Sequence, residues 1–183
     1  PGGLGETEES KEIAAADRAH PGSHGKGDGG PVFLGANCMG VISRPGNMHV
    51  FIPAEKLQAA RQTSWRRTAI VSQSGAFLLN RFSQAPEMSP AYLISMGNQT
   101  DPLGDMMRHF ISSDEADVAR SMRKLKDLDG LRFAQAVREA VRNGKQVIFY
   151  KAGRTPEADA TSGHTASLAG DYMSCENCIR QAA

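Results

Sequence analysis

His164 is the residue of this sequence best suited to chemistry, and it lies in the segment Gly163-His-Thr-Ala-Ser-Leu-Ala-Gly170. A neutral imidazole is a good nucleophile at physiological pH and can hold a phosphoryl group in transit. Thr165 could donate a hydrogen bond to phosphate oxygens. A surface histidine without a role would look the same. No second His or Cys lies at ligand spacing around His164, so we predict no metal site.

The turn Ser72-Gln-Ser-Gly75 follows an apolar run and precedes a helix pattern. Backbone N–H groups at the start of a helix converge on one point and favour an anion there. Ser72, Ser74 and Gly75 are therefore candidate phosphate-binding residues. An ordinary helix cap would use the same residues. The turn is not a Walker A loop, because no Gly-Lys-Ser/Thr follows.

Two further motifs could carry chemistry. In Gly35-Ala-Asn-Cys-Met-Gly40 the side chain of Asn37 could bind a ligand amide or carbonyl, although an Asx-turn explains the motif equally well. Cys175 and Cys178 have the spacing of a redox or zinc pair. They lie in a helix pattern without a second pair, so a redox protein is kept only as an alternative.

The elements that position these motifs alternate between strand and helix, which predicts a parallel sheet covered by helices. The predicted strands and helices, with the apolar positions expected to face the core, are Thr68–Val71, a helix from Ala76, Ala91–Met96, a helix with Met106, Met107, Phe110 and Ile111 inward, a helix with Leu131, Ala134, Val137 and Val141 inward, a buried strand Gln146–Tyr150, and a helix from Tyr172 to Arg180. No strand is predicted between Ser112 and Asp129, where Val118–Leu125 carries three cations.

Composition excludes several classes of protein. The 183 residues are 40% hydrophobic and 22% charged, with a formal net charge of +1, which argues against broad electrostatic binding of nucleic acid. No apolar run approaches the roughly 20 residues of a membrane helix, and no signal pattern begins the chain. The three cysteines make no disulfide framework. We expect a cytoplasmic protein that binds neither nucleic acid nor membrane.

Five motifs in one order resemble the CoA-binding and ligase-type subunit of the NDP-forming acyl-CoA synthetases, a family that includes succinyl-CoA synthetase. They are Gly35-Ala-Asn-Cys-Met-Gly-Val-Ile42, Val71-Ser-Gln-Ser-Gly-Ala76, Ser95-Met-Gly-Asn98, Lys151-Ala-Gly-Arg154 and Gly163-His-Thr-Ala-Ser-Leu-Ala-Gly170. The resemblance implies an α/β fold in three parts. Residues 1–43 would end a Rossmann-like CoA-binding domain, 44–67 would be a linker, and 68–183 would form a flavodoxin-like ligase domain.

The resemblance also implies an acid–thiol ligase that forms acyl-CoA from a carboxylic acid and CoA. His164 would be phosphorylated, and Ser72, Ser74, Gly75 and Thr165 would bind the phosphoryl group. The residues implied near the CoA and acyl groups are Gly35, Asn37, Cys38 and Asn98. ATP or GTP, with Mg, would be bound by a separate ATP-grasp subunit or domain, and we expect an oligomer.

One motif of the family has no counterpart in this sequence. Family members carry a glutamate after the strand that precedes the Asp-Gly helix, and it hydrogen-bonds the histidine. The corresponding segment here is Arg120-Ser-Met-Arg-Lys-Leu125. A catalytically impaired CoA-binding regulatory or scaffolding module of the same fold is therefore the alternative to an active ligase.

Overall fold

The computed structural model describes residues 11–12, 34, 37–52, 64–97, 103–114, 116, 118–122, 129–151 and 172–182. The strands in these ranges are β1 (Gly40–Ser43), β2 (Met48–Phe51), β3 (Arg66–Ser72), β4 (Pro90–Ser95), β5 (Val118–Met122) and β6 (Gln146–Tyr150). The helices are α1 (Gly75–Gln84), α2 (Leu103–Ser112), α3 (Asp129–Arg142) and α4 (Tyr172–Ala182), with a 3-10 turn at Pro86–Met88. The alternation of strands and helices predicted from residue 68 onward is confirmed.

The six strands form one sheet in the order β2-β1-β4-β3-β5-β6. The four strands β4, β3, β5 and β6 run parallel to one another. β1 pairs antiparallel with both β2 and β4. Because parallel strands need a crossover between them, α1, α2 and α3 are the connections that build this part of the sheet.

Side chains of β3 alternate between two cores, one on each face of the sheet. Ala69 and Val71 belong to the larger core, which includes residues of α2 and α3 such as Met107 and Phe133. Ile70 belongs to the smaller core. Its other buried members are Ile42, Phe51, Leu78, Phe82 and Leu93, two of them from α1. The sheet is thus covered on both faces, as an α/β fold requires.

The prediction of no strand between Ser112 and Asp129 is wrong, because β5 occupies Val118–Met122. This strand lies between β3 and β6 and pairs in parallel register with both, for example Ile70 with Arg120 and Arg120 with Ile148. The cations of the segment concealed the strand from a search for apolar runs. Pairing on both sides decides the structure here, since each strand edge needs partners for its backbone N–H and C=O groups.

The range 44–67, predicted as a linker, contains strand β2, which the sequence did not indicate. β1 and β2 form a hairpin in which Gly40 pairs with Phe51 and Ser43 with Met48. Gly40 has a φ of 123°, and a Cβ at this position would overlap the carbonyl oxygen of Val50. Only glycine allows this close approach of the two strands. The hairpin joins the sheet through β4, and the division into domains remains a prediction.

Two predicted faces differ from the structure. Leu131 and Val141 of α3 are exposed, whereas Phe133 is fully buried in the larger core. The inward stripe therefore consists of Phe133, Ala134, Ala136, Val137 and Ala140. Among the strands of the described residues, β6 lies at the edge of the sheet and exposes Ile148 and Tyr150, whereas the sequence predicted a buried strand. The apolar and aromatic composition of this strand did not reveal its position in the sheet.

Lys145, just before β6, closes the end of another helix. Its ammonium group donates hydrogen bonds to the carbonyl oxygens of Phe110 (2.8 Å), Ser113 and Ala116 (2.9 Å). The last carbonyl groups of a helix find no N–H donor within the helix, and a cation near them is favourable. Lys145 lies between α3 and β6 in the sequence, so these hydrogen bonds connect the end of α2 to the start of an edge of the sheet at β6.

Candidate functional site

The site lies at the edge of the sheet where the parallel strands end. Ser95 pairs with Ser72, Ser72 with Met122, and Met122 with Tyr150, so one row of residues crosses β4, β3, β5 and β6. In open α/β sheets this carboxyl edge is where ligands bind. The row positions the turn after β3 beside the ends of its neighbours.

The turn Ser72–Gly75 is held by its own hydroxyl groups. The Ser72 hydroxyl accepts from the N–H of Ser74 (3.1 Å) and lies 3.2 Å from the Ser74 carbonyl oxygen, to which it donates. Ser72 is almost fully buried. Its carbonyl oxygen accepts from the N–H of Met96 (2.8 Å), which fixes the turn to the end of β4. The Ser72 hydroxyl therefore shapes the turn from within.

Ser74 is the N-cap of α1. Its hydroxyl accepts from the N–H of Phe77 (3.3 Å), and its carbonyl oxygen accepts from the N–H of Leu78 (3.3 Å). The first four N–H groups of a helix lack partners within it. Of these four, the Ser74 N–H is bound by the Ser72 hydroxyl and the Phe77 N–H by the Ser74 hydroxyl, so the N–H groups of Gly75 and Ala76 are those that α1 can offer to an anion. The first turn carries no acidic residue that would repel one.

The segment Asn37–Met39 reaches the same edge from the other side. The Met39 N–H donates to the Ser95 hydroxyl (3.0 Å), and the Met39 carbonyl accepts from the N–H of Ile52 (2.9 Å). Ser95 is fully buried, so this bond is shielded from water. The segment is thus anchored to β4 and to the end of β2.

Contact between Met39 and Gly75 brings the two predicted motifs together. A Cβ at Gly75 would overlap the Cβ, Cγ and Sδ atoms of Met39. The Met39 side chain therefore occupies the space that a side chain at position 75 would need. Residues 37–39 and the N-terminus of α1 form one surface, although they are far apart in the sequence.

Asn37 and Cys38 present their side chains to solvent at this surface. Asn37 is exposed and has a φ of 60°, a left-handed conformation that asparagine adopts more readily than most residues. Cys38 is exposed, and its thiol donates to the Leu34 carbonyl oxygen (3.5 Å). Both side chains are open to solvent and precede Met39, the residue that packs on Gly75.

The remaining predicted site residues cannot be placed on this surface. His164, Thr165, Gly35 and Asn98 lie outside the described residues. Cys175 and Cys178 lie on α4, as the sequence predicted, and their side chains are likewise outside the description. The assignment of His164 and its neighbours therefore remains a prediction from the sequence.

The sequence missed two contributors to the site, Met39 and Ser95. Neither was named as a site residue, although Met39 lies in the Asn37 motif and Ser95 lies near the end of the predicted strand Ala91–Met96. Their hydrogen bond joins positions 56 residues apart, and no local pattern signals such a contact. The available hint was that both residues lie within the quoted motifs, Met39 in Gly35-Ala-Asn-Cys-Met-Gly40 and Ser95 in Ser95-Met-Gly-Asn98.

In the described part of the chain, no helix is long and apolar enough to cross a membrane. The same ranges contain no group of three His, Cys, Asp or Glu side chains arranged to hold a metal ion.

Comparison with known proteins points to one family. Residues 66–183 match the family described as "Succinyl-CoA ligase like flavodoxin domain". The ADP-forming acetate-CoA ligase I of Archaeoglobus fulgidus is 30% identical over 156 residues, which are 83% of this chain and 22% of that protein. Subunit alpha of the ADP-forming acetate-CoA ligase II of Pyrococcus furiosus is 29% identical over 154 residues, 81% of this chain and 32% of that subunit.

A solved structure shares the fold. The dinucleotide forming acetyl-coenzyme A synthetase 1 of Ca. Korarchaeum cryptofilum, in complex with phosphate and ADP, superposes with a TM-score of 0.76 at 20% identity. The match covers 98% of this chain and 36% of that one. The chain spans between 22% and 32% of the length of the two curated relatives.

Proposed function

Because the chain belongs to the family of succinyl-CoA ligase-like flavodoxin domains, we propose that it works within an acid–thiol ligase. This enzyme would form acyl-CoA from a carboxylic acid and CoA while a nucleoside triphosphate is cleaved to the diphosphate and phosphate. Family membership confirms the resemblance and the flavodoxin-like part of the fold predicted from the motifs. The contact of Met39 with Gly75 is the observation that carries the proposal, since it joins the acyl and phosphate motifs in one surface.

The reaction proceeds through two phosphorylated intermediates. The neutral imidazole of His164 attacks the γ-phosphorus of the nucleotide, a nitrogen–phosphorus bond forms, and the diphosphate leaves. A substrate carboxylate then attacks that phosphorus and gives an acyl phosphate, which returns the imidazole to its neutral form. The thiol of CoA attacks the acyl carbon after losing its proton, and phosphate departs. Atoms balance as acid, CoA and triphosphate giving acyl-CoA, diphosphate and phosphate.

The N-terminus of α1 stabilises the phosphoryl group during transfer. The N–H groups of Gly75 and Ala76 and the positive end of the helix dipole suit a phosphate. The Ser74 hydroxyl accepts from Phe77, which leaves its own proton for a phosphate oxygen. Ser72 acts by shaping the turn, and Thr165 would add a donor from the histidine segment.

The surface beside Met39 receives the reacting end of CoA and the acyl group. Asn37 offers an amide to the pantetheine amide or the acyl carbonyl, and Cys38 lies next to it on the exposed side. Gly35 and Asn98 belong to the same proposed site through their motifs. Anchoring by the Ser95 hydroxyl keeps this segment at a fixed distance from α1.

Binding of the nucleotide is assigned to another part of the enzyme. We propose an ATP-grasp subunit or domain that holds ATP or GTP with Mg, in an oligomeric, cytoplasmic assembly. The naming of the Pyrococcus furiosus relative as a subunit alpha supports a partner subunit, and both curated relatives are called ADP-forming, which supports ADP as the product.

An assay of coupled products tests the proposal. The full-length protein and its ATP-grasp partner are incubated with acetate, CoA and ATP, and acyl-CoA, ADP and phosphate are measured. We expect equal amounts of all three, with loss of activity in His164→Ala and full activity in the control His49→Ala, an exposed histidine of β2. Release of AMP and pyrophosphate, or an active His164→Ala variant, would contradict the proposal.

The sequence around β5 favours a second candidate of the same family. No glutamate follows this strand in Arg120-Ser-Met-Arg-Lys-Leu125, where the family supplies a partner for the histidine. Without that partner the imidazole lacks the group that selects its tautomer. A CoA-binding regulatory or scaffolding module would bind CoA, measured by calorimetry, and accept no phosphate from ATP.

A further inference from the structure

The side chain of Met39 lies beside the N-terminus of α1. A Cβ built at Gly75 would lie 2.3 Å from the Cγ, 2.5 Å from the Sδ and 2.8 Å from the Cβ of Met39. Because a Cβ is about 2.5 Å from the backbone nitrogen of its own residue, the Met39 sulfur is within about 5 Å of the Gly75 nitrogen. The N–H of Gly75 is one of those that α1 can offer to an anion.

Packing and a hydrogen bond fix the position of Met39 without burying it completely. Its side chain packs against the smaller core, to which α1 contributes Leu78 and Phe82. Its N–H donates to the buried Ser95 hydroxyl. Met39 is nevertheless only partly buried, so part of the residue is accessible. It thus has a fixed position and remains open to a ligand beside the N–H groups of α1.

The chemical character of this surface favours one class of acid. In the proposed reaction a carboxylate attacks the phosphorus atom whose oxygens the N–H groups of Gly75 and Ala76 bind. Residues 37–39 and 72–76 are all uncharged, and Met39 has the longest apolar side chain among them. An apolar carbon chain gains by leaving water against the thioether. A second carboxylate would be desolvated without a cation from these residues.

We propose that Met39 is a specificity-determining residue that contacts the acyl group and selects short-chain monocarboxylic acids, an inference that rests on the proposed function. A short carbon chain packs against the accessible part of the Met39 side chain. A longer chain has to displace that side chain from its packing on Gly75 and on the smaller core. The penalty therefore grows with the length of the acid.

Chain-length selectivity tests this inference. The full-length protein with its ATP-grasp partner is given acetate or hexanoate, with CoA and ATP, and kcat/KM for acyl-CoA formation is measured for each acid. In Met39→Ala we expect the ratio of hexanoate to acetate to rise about tenfold or more, because the smaller side chain leaves room for the carbon chain. Met39→Leu nearly conserves the volume and should keep the ratio. Met39→Val disturbs the packing less than Met39→Ala, should shift the ratio in the same direction, and replaces Met39→Ala if that variant does not fold.

Met88→Ala is the matched control. Like Met39, Met88 is a partly buried methionine that packs against the smaller core, but it follows the C-terminal end of α1. Its substitution should leave the ratio unchanged, because a loss of folded protein lowers both rates alike. An unchanged ratio in the Met39 variants, an equal shift in Met88→Ala, or a wild type that prefers succinate to acetate would overturn this inference alone. A wild type that forms neither acyl-CoA nor ADP with any of these acids would overturn the proposed function.

Discussion

Met39 and Gly75 share one small volume, and their contact can be tested by paired substitutions. Gly75→Ala should lower the free energy of unfolding by about 1–2 kcal/mol, because overpacking outweighs the gain in helix propensity. In a Met39→Ala background the same substitution should cost less than about 0.5 kcal/mol, since the clash is gone. Urea denaturation measures both values.

Gly144→Ala is the matched control for this pair. Gly144 has a φ of 72°, and no heavy atom lies within 4 Å of a Cβ built there. Its substitution should cost about 1 kcal/mol through left-handed backbone strain alone. That cost should be equal with and without Met39→Ala. An equal cost of Gly75→Ala in both backgrounds would contradict the contact.

Ser74 combines a structural and a proposed chemical role, which two substitutions separate. Ser74→Ala removes the cap and should lower the free energy of unfolding by about 1 kcal/mol. Ser74→Asp keeps a capping oxygen and the stability, but its charge repels phosphate and should slow phosphorylation of His164 roughly tenfold or more. Thermal unfolding and ATP labelling are measured on both. Rapid labelling of Ser74→Asp would argue against an anion site at this turn.

Local sequence predicted those site residues whose role is decided by immediate neighbours. Ser74 follows a strand and precedes a helix pattern, so its capping position was predictable. Asn37 lies in a motif rich in small residues, which favours a turn. Met39 and Ser95 acquire their roles only from the tertiary fold, because their partners come from distant strands and helices.

In helix α3 the buried face differs from the predicted one, and this decides which residues contribute to the free energy of unfolding. Phe133 is fully buried, with its ring tilted by 49° against the ring of Phe149, whereas Leu131 is 67% exposed. We expect Phe133→Ala to lower the free energy of unfolding by about 3–5 kcal/mol through a cavity in the larger core. Leu131→Ala should change it by less than about 0.5 kcal/mol. Denaturant unfolding measures both changes. Similar losses of unfolding free energy in the two variants would contradict this inward face and support the one predicted from the sequence.

Lys145 stabilises the end of α2 through three carbonyl groups. Lys145→Met keeps the apolar stem but removes the ammonium group, and should cost about 1–3 kcal/mol. Hydrogen exchange should accelerate most for amides in the last turn of α2. Arg142→Met, at an exposed cation of α3, is the control and should leave both measurements unchanged. Uniform acceleration across the sheet would indicate a global effect instead.

Strand β5 marks the limit of prediction at the level of elements. Its sequence, Val-Ala-Arg-Ser-Met, has no sustained apolar run, so the periodicity of its side chains indicated no strand. Its position between β3 and β6 supplies hydrogen bonds on both sides, and these decide the backbone conformation. The neighbouring strands β3 and β4 were predicted because their burial shows in their composition.

For the molecule as a whole, the alternation of strands and helices predicted the α/β class, and the order of motifs predicted the family. The antiparallel hairpin of β1 and β2 was not predicted, although it carries residues 37–39 to the carboxyl edge of the sheet. Its pairing with β4 depends on strand order, which one sequence does not reveal. The site exists because this hairpin and α1 converge at Gly75.

Phosphorylation of His164 is the central claim, and transfer of label from ATP tests it most directly. The full-length protein with its ATP-grasp partner is incubated with γ-labelled ATP and then treated with acid or base. We predict one label that is lost in acid, survives base, is absent from His164→Ala and is discharged by acetate with CoA. A label of the same chemistry on His164→Ala, or no label on an otherwise CoA-binding wild type, would contradict the account.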